Sequence, residues 1–250
     1  MRKILLTLVV MATALAAAAQ IEIPYQEIGY DVKYHWGFMN VNIGHGKVTL
    51  QSQNQQFNAT LDGNTIPWEG RVFCVSDTLN AAMQPGTPLS SETVSYQNGW
   101  YMKPTTAQYR EGAFGTMNPF DYKNTLGQGE LDASGQTMEA ISISTDMLGL
   151  FYYFHEIDFD NMAPGQQVTI PIAVNGGDSK SVTITYNGTS SYEAAGYMFD
   201  TYGLTFEFTY QGVPSGYPVE AQVAQNTRVP VLLSTSLPIG HVEMIYAGAY

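Results

Sequence analysis

The stretch His155-Glu156-Ile157-Asp158-Phe159-Asp160-Asn161 holds the densest group of possible metal ligands in the sequence. On an extended backbone Glu156, Asp158 and Asp160 share one face, because side chains alternate with a period of two, and carboxylate oxygens at that spacing suit calcium. The calcium-loop pattern also needs a glycine and a distal glutamate at fixed places, and neither is there. A solvated strand end without metal is therefore the expectation. The four histidines, His35, His45, His155 and His241, form no close pair along the chain, so a zinc site has no local support.

Acyl transfer needs a nucleophile, a base and an orienting acid, and no Gly-x-Ser-x-Gly elbow marks a serine. Ser190 and Ser191, close to Asn187-Gly188, are turn residues by type. Cys74 is the single cysteine, so no intrachain disulfide forms, and its surroundings, Val72-Phe73-Cys74-Val75, read as core. The 22 acidic residues leave paired carboxylates for sugar cleavage open, but sequence gives no distances between them. No cofactor motif is present, and the expected function is noncatalytic.

The surplus that could mean binding is aromatic: 17 Tyr, 11 Phe and 3 Trp. Flat rings with polar edges bind sugars and apolar ligands, and they also fill β cores. Trp36 and Trp68 are expected in the core. Trp100 follows Asn98-Gly99, a hairpin-turn pair, with Tyr101 beside it, so one of these two should point outward. The candidate ligand-binding residues are Trp68, Trp100, Tyr101, Phe151 and Tyr152, set between a curved sheet and helical segments. The expected mechanism is burial of an apolar ligand against aromatic and aliphatic side chains.

The elements that must position these residues are mostly strands. Ile28, Tyr30, Val32, Tyr34, Trp36 and Phe38 alternate with small or polar residues, which puts six large side chains on one face. Val48 and Leu50, then Phe57, Ala59 and Leu61, continue an antiparallel meander. Val168, Ile170, Ile172 and Val174 lead through Asn175-Gly176-Gly177-Asp178 into Val182, Ile184 and Tyr186, a hairpin with its turn residues in place. Pro171 inside that arm indicates an edge or a bulge. Leu204, Phe206, Phe208 and Tyr210 form a further strand, and Val242, Met244 and Tyr246 the last. Two stretches have helical spacing: Trp68, Val72, Val75 and Leu79, and Leu148, Phe151, Tyr152 and His155, the second behind Asp146 as a cap. Residues 112–137, with Gly115, Gly127, Gly129 and Gly135, read as loop. The predicted fold is an all-β, single antiparallel curved or barrel-like domain over residues 20–250, with one or two short helices.

Three stretches resemble the exported bacterial proteins grouped as domain of unknown function 3108. They are Tyr30-Asp31-Val32-Lys33-Tyr34-His35-Trp36-Gly37-Phe38 running into Ile43-Gly44-His45-Gly46, then Asp146-Met147-Leu148-Gly149-Leu150-Phe151-Tyr152-Tyr153-Phe154, then Asn226-Thr227-Arg228-Val229-Pro230-Val231 with Pro238-Ile239-Gly240-His241-Val242. The second differs from the family pattern in carrying Gly149 at the small position. The resemblance implies a periplasmic or cell-surface β protein and implies no activity.

Residues 1–19 have the order of a secretory signal peptide: Arg2 and Lys3, the apolar run Ile4 to Leu15, then Ala17 and Ala19. The mature chain is expected to begin at Gln20, in the periplasm or at the cell surface. With no cysteine near the cut, lipid anchoring is not expected. The formal charge is −12 for the whole chain, and beyond Arg2 and Lys3 its few basic residues are scattered singly from Lys33 to Arg228. Such a surface cannot displace the counterions of a nucleic acid or engage an anionic membrane. The expected partner is an apolar small molecule or an envelope protein. A filled structural or assembly subunit and a glycan hydrolase are the alternatives. An outer-membrane barrel fits poorly with 12 prolines and two helical stretches.

Overall fold

In a computed structural model the chain is described over residues 22–37, 39–54, 56–66, 75–84, 87–97, 100–111, 117–124, 145–174, 178–210 and 213–249, with backbone alone at 75, 87–124, 173–180 and 210. The strands are β1 (Gln26–Trp36), β2 (Met39–Gln53), β3 (Gln56–Thr65), β4 (Val75–Gln84), β5 (Thr87–Gln97), β6 (Trp100–Glu111), β7 (Met117–Asn124) and β8 (Thr145–Asp146). Helix α1 (Leu150–Glu156) and a 3-10 turn (Phe159–Asn161) follow. The second half has β9 (Gln167–Val174), β10 (Asp178–Ala194), β11 (Tyr197–Tyr210), β12 (Val213–Pro214), β13 (Val219–Ala224), β14 (Pro230–Ser236) and β15 (His241–Ala249).

These strands form one sheet in the order β7-β6-β5-β4-β3-β2-β1-β15-β14-β13-β11-β10-β9-β8, with β12 paired to β11. All pairings are antiparallel except β8 with β9. The sheet curls into a nearly closed barrel. Its curvature shows in a hydrogen bond from Thr145 Oγ1 in β8 to Met83 Sδ in β4, at 3.3 Å, between strands far apart in the sheet order. The first and last strands meet where β1 pairs with β15, and the Tyr30 hydroxyl donates to the Pro230 carbonyl at 2.9 Å.

Alternation set the faces as expected. Ile28 and Tyr30, Val48 and Leu50, Phe57 and Ala59, Ile170 and Ile172, Val182, Ile184 and Tyr186, and Leu204 and Phe206 are all buried in one cluster. Helix α1 fills one end of the barrel. Leu150, Phe151, Tyr152 and Phe154 are buried, with the Tyr152 ring 5.6 Å from Phe57 and the Phe154 ring 5.7 Å from Phe206. Burial of large apolar side chains contributes roughly 1.5–3 kcal/mol each, which makes this plug the main anchor of a seven-residue helix too short to stand alone. Pro171 is tolerated because β9 is nearly an edge, flanked on its outer side only by the two residues of β8.

Several expectations need correction. Leu79 belongs to β4 rather than to a helix: its four-residue spacing from Val75 coincides with strand pairing to Leu61 and Thr93. Met117–Asn124, within the expected loop, is strand β7 paired to β6. Trp36 is 55% exposed, because β1 runs past the filled part of the barrel before it ends. Glu156 and Asp160 do not share an extended face, since one closes α1 and the other lies in the 3-10 turn. Asp146 does act at the helix start, but through the turn before it, accepting the Gly149 N–H at 2.8 Å.

Candidate functional site

The inner face changes character along the barrel. On β1 the side chains pass from buried Ile28 and Tyr30 to half-buried Val32 and Tyr34 and exposed Trp36. On β3 they pass from Phe57 and Ala59 to half-buried Leu61, and on β4 from Met83 and Ala81 to half-buried Leu79. On β15 Met244 and Val242 are half-buried beside them. Antiparallel register aligns these transitions at one level, since Leu61 pairs with Val48 and Leu79, and Val32 with Gly44 and Met244. One end is therefore filled by α1 and the other is a concave apolar mouth.

A cavity of about 240 Å³ lies in this mouth, lined by Val32, Ile43, Leu61, Leu79 and Met244 over Gly44, Gly46 and Gly63. Around the same end Trp36, Ile66, Leu237 and Ile239 are exposed. The β14–β15 turn that carries Leu237 and Ile239 is fixed against β1: the Tyr34 hydroxyl donates to the Ile239 carbonyl at 2.8 Å. Gly240 sits at φ +76, where an added Cβ would run into the His35 carbonyl oxygen, so only glycine lets the turn lie so close.

A second depression, of about 720 Å³, lies toward the other end and is lined by Asp160, Tyr197, Met198, Phe199, Asp200, Tyr202, Gln225, Asn226 and Tyr246. Its wall is built around Tyr202. The Tyr202 hydroxyl donates to Asp160 Oδ1 at 2.6 Å, and the Arg228 guanidinium stacks over the ring at 4.6 Å. Burial, and then the hydrogen bond to Asp160, push the Tyr202 phenol up. Arg228 also reaches Asp160 Oδ2 at 3.4 Å and holds a positive φ of 57° in the β13–β14 turn. Arg228→Ala is expected to cost about 1–2 kcal/mol in urea unfolding, mostly from the lost stacking and packing. Unchanged stability would show that the guanidinium contributes nothing to this wall.

Of the sequence-derived binding residues, Phe151 and Tyr152 are the ones whose side chains are described. Phe151 and Tyr152 are buried in the plug at the filled end. Trp68 and Cys74 lie outside the described residues. Trp100 and Tyr101 begin β6, where Trp100 pairs with Gln97 and Tyr101 with Tyr96, and their side chains are outside the described set. The mouth residues Val32, Leu61 and Met244 were visible only as members of alternating strands. What the sequence did not signal is that their inward faces lie beyond the reach of the plug.

A group of ligand-type side chains also emerges that sequence spacing missed. The β1–β15 pairing sets His35 opposite His241, and Glu243 lies two residues on. The rings stack at 4.3 Å between centroids, 5° from parallel, and His35 Nε2 is 2.8 Å from Glu243 Oε2. The acidic stretch is solvated, with Glu156, Asp158 and Asp160 exposed, but on a helix end and a 3-10 turn rather than a strand end: Asp158 accepts from Asn161 Nδ2 at 2.7 Å, and Asp160 accepts from the Tyr202 hydroxyl.

No helix among the described residues is long and apolar enough to cross a membrane, which says nothing of crossing with strands. The fold and its mouth define a barrel-like β protein. No family model matches the sequence, and no curated protein is recognisably similar to it. The structure is similar to the crystal structure of a beta-barrel-like protein of domain of unknown function DUF1849 from Brucella abortus, with a TM-score of 0.65 and 7% identity over 92% of this chain and 99% of that one. At that identity the likeness concerns the fold alone. A candidate lipoprotein from Parabacteroides distasonis overlaps with 91% of this chain and 97% of its own, at 9% identity and a TM-score of 0.33, a value that carries no argument.

Proposed function

We propose that this protein is an exported, noncatalytic binder of an apolar, envelope-derived molecule, which it takes by an acyl chain or similar group into the open mouth of the barrel. The observation that carries this reading is the aligned change from filled core to half-exposed aliphatic lining on adjacent strands, ending in a rim of exposed Trp36, Ile66, Leu237 and Ile239. A concave apolar surface of this kind gains on the order of 25 cal/mol per Å² of ligand surface removed from water. The cavity of about 240 Å³ is smaller than the roughly 300–1,000 Å³ of drug-sized pockets, which suits part of a chain rather than a whole lipid. The leader-like residues 1–19 support export, and kinship with domain of unknown function 3108 is part of the same proposal.

The 720 Å³ depression favours a second reading, binding of a polyhydroxylated ligand, because its rings alternate with the carboxylates and amides of Asp160, Asp200, Gln225 and Asn226. One experiment separates the two. The untagged chain is purified natively, weighed by native mass spectrometry, extracted with organic solvent, and titrated with a fluorescent fatty acid and with soluble envelope glycans. Leu61→Asn, in the mouth, is expected to weaken fatty-acid binding about tenfold, the effect of losing a well-placed apolar contact, while Tyr197→Ser leaves it unchanged. Glycan binding lost in Tyr197→Ser alone would move the function to the second site. Absence of binding to either probe would leave a structural subunit.

A further inference from the structure

We infer that His35, His241 and Glu243 form a binding site for a first-row divalent transition-metal ion, of the zinc class, on the outer face of the β1–β15 seam. The site does not depend on the ligand reading above: these residues are on the face opposite to Val32, Tyr34, Val242 and Met244, because side chains alternate across a strand. One ligand atom from each of the three, two imidazole nitrogens and a carboxylate oxygen, lie within 4.8 Å of one another. They are the donor types that zinc takes, and three protein ligands leave a fourth position open.

The separations fit the ion. Bonds of 2.0–2.2 Å in a tetrahedron place neighbouring ligand atoms about 3.4 Å apart. The N···O distance is 2.8 Å from His35 to Glu243 Oε2 and 3.7 Å from His241 to Glu243 Oε1, so the observed pairs bracket that value. A rotation of the stacked rings away from parallel would converge both nitrogens on one point. Glu243 stands directly across from Lys33, yet its carboxylate turns to the two imidazoles.

The backbone beneath is already fixed. His35 and His241 are a cross-strand pair, and the turn ahead of His241 is pinned by the Tyr34 bond to Ile239 and by the close fit of Gly240 on the His35 carbonyl. His35 and Glu243 have side chains only 21% and 23% exposed, which shields them from competing water, whereas His241 at 42% leaves a way in. A surface histidine–carboxylate pair alone is a weak contact, offset by the cost of ordering two side chains. Two stacked imidazoles sharing one carboxylate are more than such a pair requires.

The test uses the untagged chain, stripped with chelator and titrated with zinc chloride by isothermal calorimetry, with circular dichroism to show that each variant is folded. One ion per chain should bind with a dissociation constant in the micromolar range or tighter. His241→Gln, the most exposed of the three and the least able to disturb folding, and Glu243→Gln should each weaken binding by about tenfold or more, as loss of a ligand does. His45→Gln, which removes a histidine paired with Asp31 at 2.7 Å, should bind zinc as the parent does. No saturable uptake by the parent, or equal affinity in folded His241→Gln and Glu243→Gln, would overturn the site and leave an ion pair.

Discussion

Gly149→Ala is expected to lower stability by about 3 kcal/mol, at the upper end of what overpacking a filled core costs. Backbone conformation alone does not oppose the substitution: alanine has the higher general helix propensity, and Gly149, at the N-cap of α1, has helical angles of φ −65° and ψ −13°. Space decides against it. A Cβ at this position would overlap Thr145 Oγ1 and lie 2.6 Å from Met83 Sδ. Thr145 is fully buried, and its hydroxyl is engaged with Met83 Sδ at 3.3 Å and with the Asp146 carbonyl at 3.2 Å. Making room breaks the contact by which β8 reaches across the barrel to β4.

The measurement is urea unfolding of the parent, of Gly149→Ala, and of Gly149→Ala combined with Thr145→Ala. The double variant should recover part of the loss, because removing Oγ1 removes the worst overlap and the two sites are in contact and so couple. A neutral or stabilised single variant would mean that propensity outweighs crowding and that the helix start is loosely held. A side chain in this place would displace the plug.

The barrel was legible in the sequence because a half-buried strand writes its faces directly into the chain. Tyr30, Val48, Phe57, Ile184 and Leu204 point inward as their alternation requires. The helix at Leu150–Glu156 was legible too, from the three- and four-residue spacings of Leu148, Phe151 and His155. What could not be read was anything set by pairing between distant strands. His35 and His241 are 206 positions apart and meet only because the last strand closes on the first. The mouth was hidden for a related reason: Ile28 and Val32 look alike in sequence, and only the reach of α1 decides which is covered. Leu79 shows the converse failure, since three- and four-residue spacings arise by chance within a strand whose neighbours supply the actual constraint.

In Asp146→Asn, stability relative to the parent should rise by about 2.4 kcal/mol between pH 4 and pH 7. Asp146 is 5% exposed, and burial pushes its carboxyl from 3.8 up to about 6, although the Gly149 and Leu148 backbone N–H groups pull the other way. Oδ1 accepts the Gly149 N–H, whereas Oδ2 is buried with no hydrogen-bond partner among the described residues. The sign follows from proton counting. Between pH 3.8 and 6 the folded chain holds a proton that the unfolded chain has released, so stability is full below the lower value and falls as pH rises through the upper one. Asparagine keeps an oxygen for Gly149 and has nothing to ionise, so this slope disappears. His155 titrates in the opposite sense: burial foremost lowers its pKa, so its contribution is lost as pH falls below the usual histidine range. That contribution is common to both proteins and cancels in the difference, which makes the difference the quantity to measure, by urea unfolding at half-unit steps. A difference that stays flat across this range would show that the Asp146 carboxyl finds water or another partner, and that the corner joining β8 to α1 is open rather than packed.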